Sequence, residues 1–252
     1  MQDLSNENII HIKKENIEYL QFKKLLEYED VITHCITLKP QDFGNVSNYE
    51  IVKETVEENY KKICKELNLN YNNIVRPKQT HTDNIKTVGV GAFDNPNNIY
   101  PEYLDDVDGV ITDKKDIVLS TAYADCIPLI FFDPVKKVVA NIHSGWQGTL
   151  KRIGVKAVKQ LIEEYSCNPR ELICCIGPSI RKCCFEVDQD VKKQFEDEFN
   201  DVGAAWHAAR VAYHATPTKQ ILYRYSKNKQ SNSTRNWIIR RKYNRCRNMY
   251  IL

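Results

Sequence analysis

Three residues have side chains suited to metal binding or nucleophilic chemistry, and each lies at the end of a predicted strand: His81 in KQTHTDN, Cys126 in ADCIP and His143 in NIHSGW. Cys126 and His143 also lie at the ends of apolar runs. Such runs are typical of buried strands, and side chains at the ends of neighbouring strands converge on one edge of a sheet. Two imidazoles and one thiolate form a three-ligand zinc set with an open fourth position, as in catalytic zinc sites. The residue types therefore predict a metal centre that activates a water or orients a substrate oxygen.

The same residues are compatible with two alternative roles. Cys126 and His143 alone would form a nucleophile and its base, as in a metal-free cysteine hydrolase. A cysteine at a strand end is also more often a small buried hydrophobe than a ligand. In that case the chain would be a binding module without catalytic activity. Spacing alone leaves all three roles open.

Two acidic residues lie close to these ligands in the sequence. Asp125 immediately precedes Cys126, and Asp83 follows His81 by two positions. Carboxylates near metal ligands orient them or carry protons during catalysis. We expect Asp125 to act as the proton carrier and, with Cys126, to be a catalytic residue.

The segment HSGWQG has the composition of a binding surface. Its two glycines flank Trp146 and allow backbone amides to approach a ligand closely. The following helix would offer its N-terminus to an anion such as phosphate. We expect Ser144, Gly145, Trp146 and Arg152 to contact substrate or phosphate.

The pattern of apolar residues predicts the elements that position these side chains. Amphipathic spacing predicts helices, and short runs rich in β-branched and aromatic residues predict strands. The runs are almost continuously apolar, which is typical of a sheet covered on both faces. The sequence thus predicts a mixed α/β (α+β) fold, a single domain with mixed β-sheets covered by helices. The predicted helices span 51–68, 150–168 and a segment from Val187, and the main strands span 109–112, 117–123, 126–132, 137–142 and 171–177.

Composition limits the classes of function. The 252 residues carry a formal net charge of +3, too small to indicate a nucleic-acid or membrane partner. No apolar run approaches the ~20 residues that span a bilayer. The first twenty residues lack a secretory signal, and nine cysteines, an odd number that includes adjacent pairs, favour reduced thiols. We expect a cytoplasmic protein.

Four blocks in this sequence resemble the YfiH-type laccase-domain family. They are KQTHTDNI, DVDGVITDKKDIVLSTAYADCIPLIFFDP, VVANIHSGWQGTLKRI and CIGPSIRKCCFEVDQDV, and together they span roughly residues 76–192. The resemblance places the family's metal ligands on His81, Cys126 and His143. It implies a zinc-dependent purine nucleoside phosphorylase that also deaminates adenosine. We expect a monomer or small homo-oligomer. The family's older label implies the alternative of a copper-dependent polyphenol oxidase.

The chain departs from the family pattern in two places. The stretch THCITLKPQDFGNVS lacks the arginine of the family's N-terminal Arg- and Gly-rich segment. Residues 203–252 form an atypical basic tail in place of the family's last helix and strand, whereas residues 1–202 would be the catalytic domain.

The tail resembles the family ending read one nucleotide out of frame. Most codons that produce this match are free choices, but Trp237 forces a glycine and Met249-Tyr250 forces a cysteine in the shifted frame. Both fall where the family ending has these residues. The tail is therefore interpreted as a frameshift product that begins after about residue 199.

Overall fold

The computed structural model describes residues 3–15, 17–44, 49–89, 99–181, 184–199 and 224–225. They fall into two compact units, one ending at Gly177 and the other beginning at Pro178. Within these residues, no helix is both long enough and apolar enough to cross a bilayer. The mixed α/β fold that the sequence predicts is confirmed.

A small antiparallel sheet and a long helix form the N-terminal part of the first unit. The strands are β1 (Ile9–Lys14), β2 (Ile17–Phe22) and β3 (Ile36–Thr37), paired in the order β1-β2-β3, and the helices are α1 (Lys23–Leu26) and α2 (Tyr49–Glu66). Residues of β2 and α2 share one apolar cluster, in which Tyr19 packs with Val56 and Ile63. Burying this apolar face of α2 stabilises a helix whose opposite face is charged.

A five-stranded sheet is the main element of the first unit. The strands that follow α2 are β4 (Ile74–Val75), β5 (Ile85–Thr87), β6 (Gly109–Thr112), β7 (Val118–Leu119), β8 (Ile127–Asp133), β9 (Val138–Ser144) and β10 (Ile173–Ile176). The order in the five-stranded sheet is β10-β8-β9-β6-β5, and a separate pair joins β4 to β7. The neighbours β8, β9 and β6 run antiparallel, whereas β5 is parallel to β6.

The sheet is covered on both faces, as its apolar strands predict. Val110 and Ile111 are consecutive residues of β6 and therefore point to opposite faces. Both are fully buried. Val110 packs with Val75 and Leu104, whereas Ile111 belongs to the apolar cluster that includes Leu161 of the next helix.

The helix predicted at 150–168 is confirmed from Ile153 to Tyr165, and a short helix that the sequence pattern does not predict precedes it. These helices are α3 (Trp146–Leu150) and α4 (Ile153–Tyr165). Arg152 separates them with a φ of 60°, in the left-handed region. This conformation cannot continue a right-handed helix, so the chain turns before α4 packs Ile153 and Leu161 against the sheet.

The second unit contains β11 (Glu186–Val187), α5 (Gln189–Phe199) and β12 (Arg224–Tyr225). Strands β11 and β12 pair in parallel. The helix expected after Val187 is thus confirmed. The proposed boundary between residues 202 and 203, and the tail apart from β12, lie outside the described residues.

Free cysteines predominate among the described residues. They are Cys35, Cys64, Cys126, Cys167, Cys174 and Cys175. Cys184 is disulfide-bonded, so the expectation of reduced thiols is wrong at that position.

Candidate metal centre

The register between β8 and β9 brings Cys126 and His143 to the same end of the sheet. Ile127 pairs with Ser144, and Pro128 pairs with His143. Cys126 immediately precedes β8 and therefore lies beside the last residues of β9. The prediction that these two side chains meet at one edge of a sheet is confirmed.

His81 reaches the same edge from a loop between β4 and β5. Its φ of 66° lies in the left-handed region, which is unfavourable for a residue with a Cβ. The carboxylate of Asp108 stabilises this conformation, because it accepts hydrogen bonds from the backbone N–H groups of His81 and Thr82, at 3.2 Å and 2.6 Å. A loop rather than a strand end thus presents His81.

Asp108 also orients the second histidine. Its Oδ1 lies 2.6 Å from Nδ1 of His143, and both side chains are buried. This hydrogen bond leaves Nε2 of His143 as the nitrogen available to a metal. A carboxylate behind a histidine fixes its ring orientation and raises its basicity as a ligand.

The three side chains form one group whose donor atoms all lie within 4.8 Å of one another. His143 is buried, Cys126 is half-buried and His81 is exposed, so the group is open on one side. Ligands about 2.0–2.3 Å from a tetrahedral ion lie somewhat closer together than this, a difference that small side-chain movements remove. Two imidazoles and a thiol are a donor set that suits zinc and other borderline-soft ions.

Gly145 makes room for this arrangement. A Cβ at this position would lie 2.7 Å from Cδ2 of His81 and 3.4 Å from Sγ of Cys126. The backbone of Gly145 therefore lies directly against the side chains of His81 and Cys126. Any larger residue at this position would push the side chain of His81 out of the group.

Cys126 is a poor nucleophile in the absence of a metal. Burial raises the pKa of its thiol to about 11, and the carboxylates of Asp125 and Asp108 contribute to the increase. Burial also raises the pKa of Asp125, against the opposing effect of Lys39. Lys39 lies in THCITLKPQDFGNVS, the stretch that lacks the family's arginine. This stretch therefore still provides a positive charge that acts on Asp125.

The other predicted residues occupy varied positions. Ser144 is buried, and its hydroxyl lies 2.8 Å from that of Thr149. Trp146 opens α3, and Arg152 lies between α3 and α4. Asp83 forms ion pairs with Lys151 and Lys156, whose hydrogen bonds keep its pKa low, the bond from Lys156 having the larger effect. Asp108, which sequence reasoning missed, is the carboxylate that bonds a histidine of the group.

A signal for Asp108 is present in the sequence. It is the charged residue directly before GVIT, a strand whose four residues are all buried. A charge at the start of such a strand needs a partner, because burying it alone is costly. This requirement identifies Asp108 as a residue of interest but does not identify His143 as the partner.

Comparisons with known proteins identify the family of the chain. The family model described as multi-copper polyphenol oxidoreductase laccase matches residues 42–224. Purine nucleoside phosphorylase YlmD of Bacillus subtilis is 38% identical over 141 residues, which cover 54% of this chain and 49% of the relative. Purine nucleoside phosphorylase LACC1 of Mus musculus is 30% identical over 164 residues, which cover 65% and 36%. The chain thus spans about half of the first relative and about a third of the second.

A solved structure also resembles this chain in fold. The hypothetical protein YfiH of Bacillus licheniformis matches with a TM-score of 0.57 and 25% identity, over 78% of this chain and 73% of that chain. The family model covers well over half of the sequence. The resemblance seen in the motifs is therefore confirmed, and the chain belongs to the YfiH-type laccase-domain family, whose model is described as multi-copper polyphenol oxidoreductase laccase.

Proposed function

We propose that this chain is a zinc-dependent purine nucleoside phosphorylase. It would convert adenosine, inosine, guanosine or methylthioadenosine, with phosphate, into the free base and the corresponding ribose 1-phosphate. The observation that carries the proposal is the open group of His81, Cys126 and His143, with donors within 4.8 Å. The names of the relatives from Bacillus subtilis and Mus musculus support the reaction.

The reaction makes defined demands on the residues of the site. Phosphate attacks the anomeric carbon while the purine leaves, so the ribose becomes positively charged and the base needs a proton. Bound zinc would supply a Lewis acid near a substrate oxygen. Asp125 lies directly before Cys126 and is only half-buried, which supports its role as the proton carrier.

The remaining residues would bind substrate. We assign phosphate or nucleoside contacts to Ser144, Gly145, Trp146 and Arg152, which follow His143 along the chain. Adenosine deamination needs an activated water and a proton carrier, and Asp125 occupies a suitable position for this second activity. We further propose a cytoplasmic monomer or small homo-oligomer without nucleic-acid or membrane partners, in keeping with a net charge of +3.

Two rival functions have less support. A multi-copper oxidase needs several ligand clusters, and His81, Cys126 and His143 form the one such cluster found among the described residues. A metal-free hydrolase needs a thiol with a lowered pKa beside a cation. Burial and two neighbouring carboxylates instead raise the pKa of Cys126 to about 11.

The test combines metal content with turnover. We expect about one zinc per purified chain and phosphate-dependent release of hypoxanthine from inosine, with both lost in Cys126→Ala. Rapid alkylation of Cys126 in a zinc-free protein would favour the hydrolase. A folded wild-type chain without zinc would show that the three residues do not form the proposed centre.

A further inference from the structure

The segment that carries Cys126 is held in place largely by side chains. It runs from the end of β7 to the start of β8, residues 120–126, and contains neither helix nor strand. Its first residue, Ser120, bonds the backbone of Val75 at 2.9 Å. Beyond this point, the described contacts of the segment include two side-chain amides from other parts of the chain.

Gln79 provides the first of these amides. Its Nε2 donates to the carbonyl of Ala122 at 2.8 Å, and its Oε1 accepts from the N–H of Ala122 at 2.7 Å. The side chain thus satisfies both backbone groups of one residue, as a neighbouring strand would. Gln79 precedes His81 by two residues, so this pair of bonds joins the His81 loop to the Cys126 segment.

Asn141 provides the second amide, from β9. Its Oδ1 accepts from the hydroxyls of Thr121 and Tyr123, each at 2.8 Å. Its Nδ2 donates to the carbonyl of Leu119 at 3.2 Å. Asn141 precedes His143 by two residues, so these bonds join the other histidine segment to the Cys126 segment.

We propose that Gln79 and Asn141 are positioning residues that fix Cys126 relative to the two histidines and thereby set the affinity for the metal. Each amide lies two residues before a histidine donor and bonds the segment that leads to Cys126. Without these bonds, the metal ion would have to order this segment itself, and the entropy cost would weaken binding. The inference rests on the metal centre proposed above.

The substitution Gln79→Met tests the first amide. Methionine has a similar length but makes neither hydrogen bond, so packing is largely kept. Zinc affinity of the metal-free protein is measured by competition with a chromophoric chelator, well below the unfolding temperature. We expect affinity to fall about tenfold or more. In hydrogen exchange on the metal-free protein, the amide of Ala122 should exchange faster. Asn141→Leu should lower affinity in the same way.

Gln21→Met is the matched control. Gln21 donates to the backbone carbonyl of His34 at 3.0 Å in the N-terminal sheet, a bond that involves none of the three ligands or the Cys126 segment. It should leave zinc affinity unchanged even if it lowers stability. Equal losses in both glutamine variants, or no loss in Gln79→Met, would overturn the proposal.

The hydrogen-exchange rate of the Ala122 amide tests this inference separately from the proposed function. If the wild-type chain binds no zinc, the metal centre fails, but faster exchange of Ala122 in Gln79→Met would still support the positioning role. Unchanged exchange of Ala122 would overturn that role whatever the metal result.

Discussion

Asp108 is a buried carboxylate whose contacts serve both histidines. Burial alone would raise its pKa, but hydrogen bonds from His143 and Thr82 outweigh this effect and keep the pKa below its ordinary value. The ionised form is therefore the stable one in the folded protein. Its negative charge fixes the ring of His143 and stabilises the left-handed backbone of His81.

Asp108→Asn should damage the metal centre and the fold together. The amide NH₂ would face N–H donors that now bond a carboxylate, and unsatisfied buried donors cost about 1–3 kcal/mol. We expect zinc affinity to fall about 10- to 100-fold. Chelator competition and urea denaturation measure the two effects. Asp105→Asn, at an exposed residue nearby, should alter neither, and wild-type affinity in Asp108→Asn would contradict the assigned role.

His34 links stability to pH independently of the metal. Its Nε2 accepts a hydrogen bond from the N–H of Phe22 at 2.7 Å, which requires the neutral ring. Burial lowers its pKa from 6.5 to about 4. Between pH 6.5 and about pH 4, His34 is therefore protonated in the unfolded chain but neutral in the folded chain. The contribution to stability is present above pH 6.5 and is lost as the pH falls to about 4.

His34→Gln should remove this pH dependence. Glutamine keeps an acceptor for Phe22 but does not titrate. By the size of the pKa shift, the wild-type chain should lose about 3 kcal/mol more than the variant between neutral pH and pH 4. Urea denaturation of the metal-free proteins across this range measures the difference. Parallel stability curves for the two proteins would show that His34 is not responsible.

At the scale of elements, the turn from β9 into α3 determines how closely the ligands approach. Gly145→Ala would place a Cβ 2.7 Å from the exposed ring of His81. The ring can swing into solvent, so the fold should lose little stability while the donor set is disrupted. We expect weaker zinc binding with a thermal midpoint close to wild type. Gly89→Ala, where a Cβ would meet nothing within 4 Å, should bind zinc normally, and equal affinities in both variants would refute this role.

The strands and helices could be predicted from the sequence better than the loops. The apolar runs of β6, β8 and β9 indicate the sheet, and their ends correctly indicate where Cys126 and His143 meet. The break between α3 and α4 depends on the left-handed conformation of Arg152, which an apolar pattern does not encode. The roles of Gln79 and Asn141 could not be predicted either, because they depend on hydrogen bonds to a segment that is distant in the sequence.

At the scale of the molecule, one end of the five-stranded sheet gathers residues that are far apart in the chain. Antiparallel pairing of β6 and β8 with β9 brings the starts of β6 and β8 to the end of β9, next to His143. Asp108 and Cys126 directly precede β6 and β8. The parallel strand β5 begins at this end and brings the loop of His81 with it. Strand order therefore brings Asp108, Cys126 and His143 together and the loop of His81 close to them, and all three proposed ligands lie in the first unit, before Gly177.

The last part of the chain raises the question of whether the reading frame of the gene is intact. We propose residues 1–202 as the catalytic domain and residues 203–252 as the product of a shifted frame. The family match ends at residue 224, inside this segment. Removing one nucleotide after about codon 199 should restore the family's final helix and strand. Under this hypothesis the lost helix and strand leave a sheet edge uncovered, so restoring them should raise the thermal midpoint and the turnover. The same tail in an intact frame of close relatives would refute the shift.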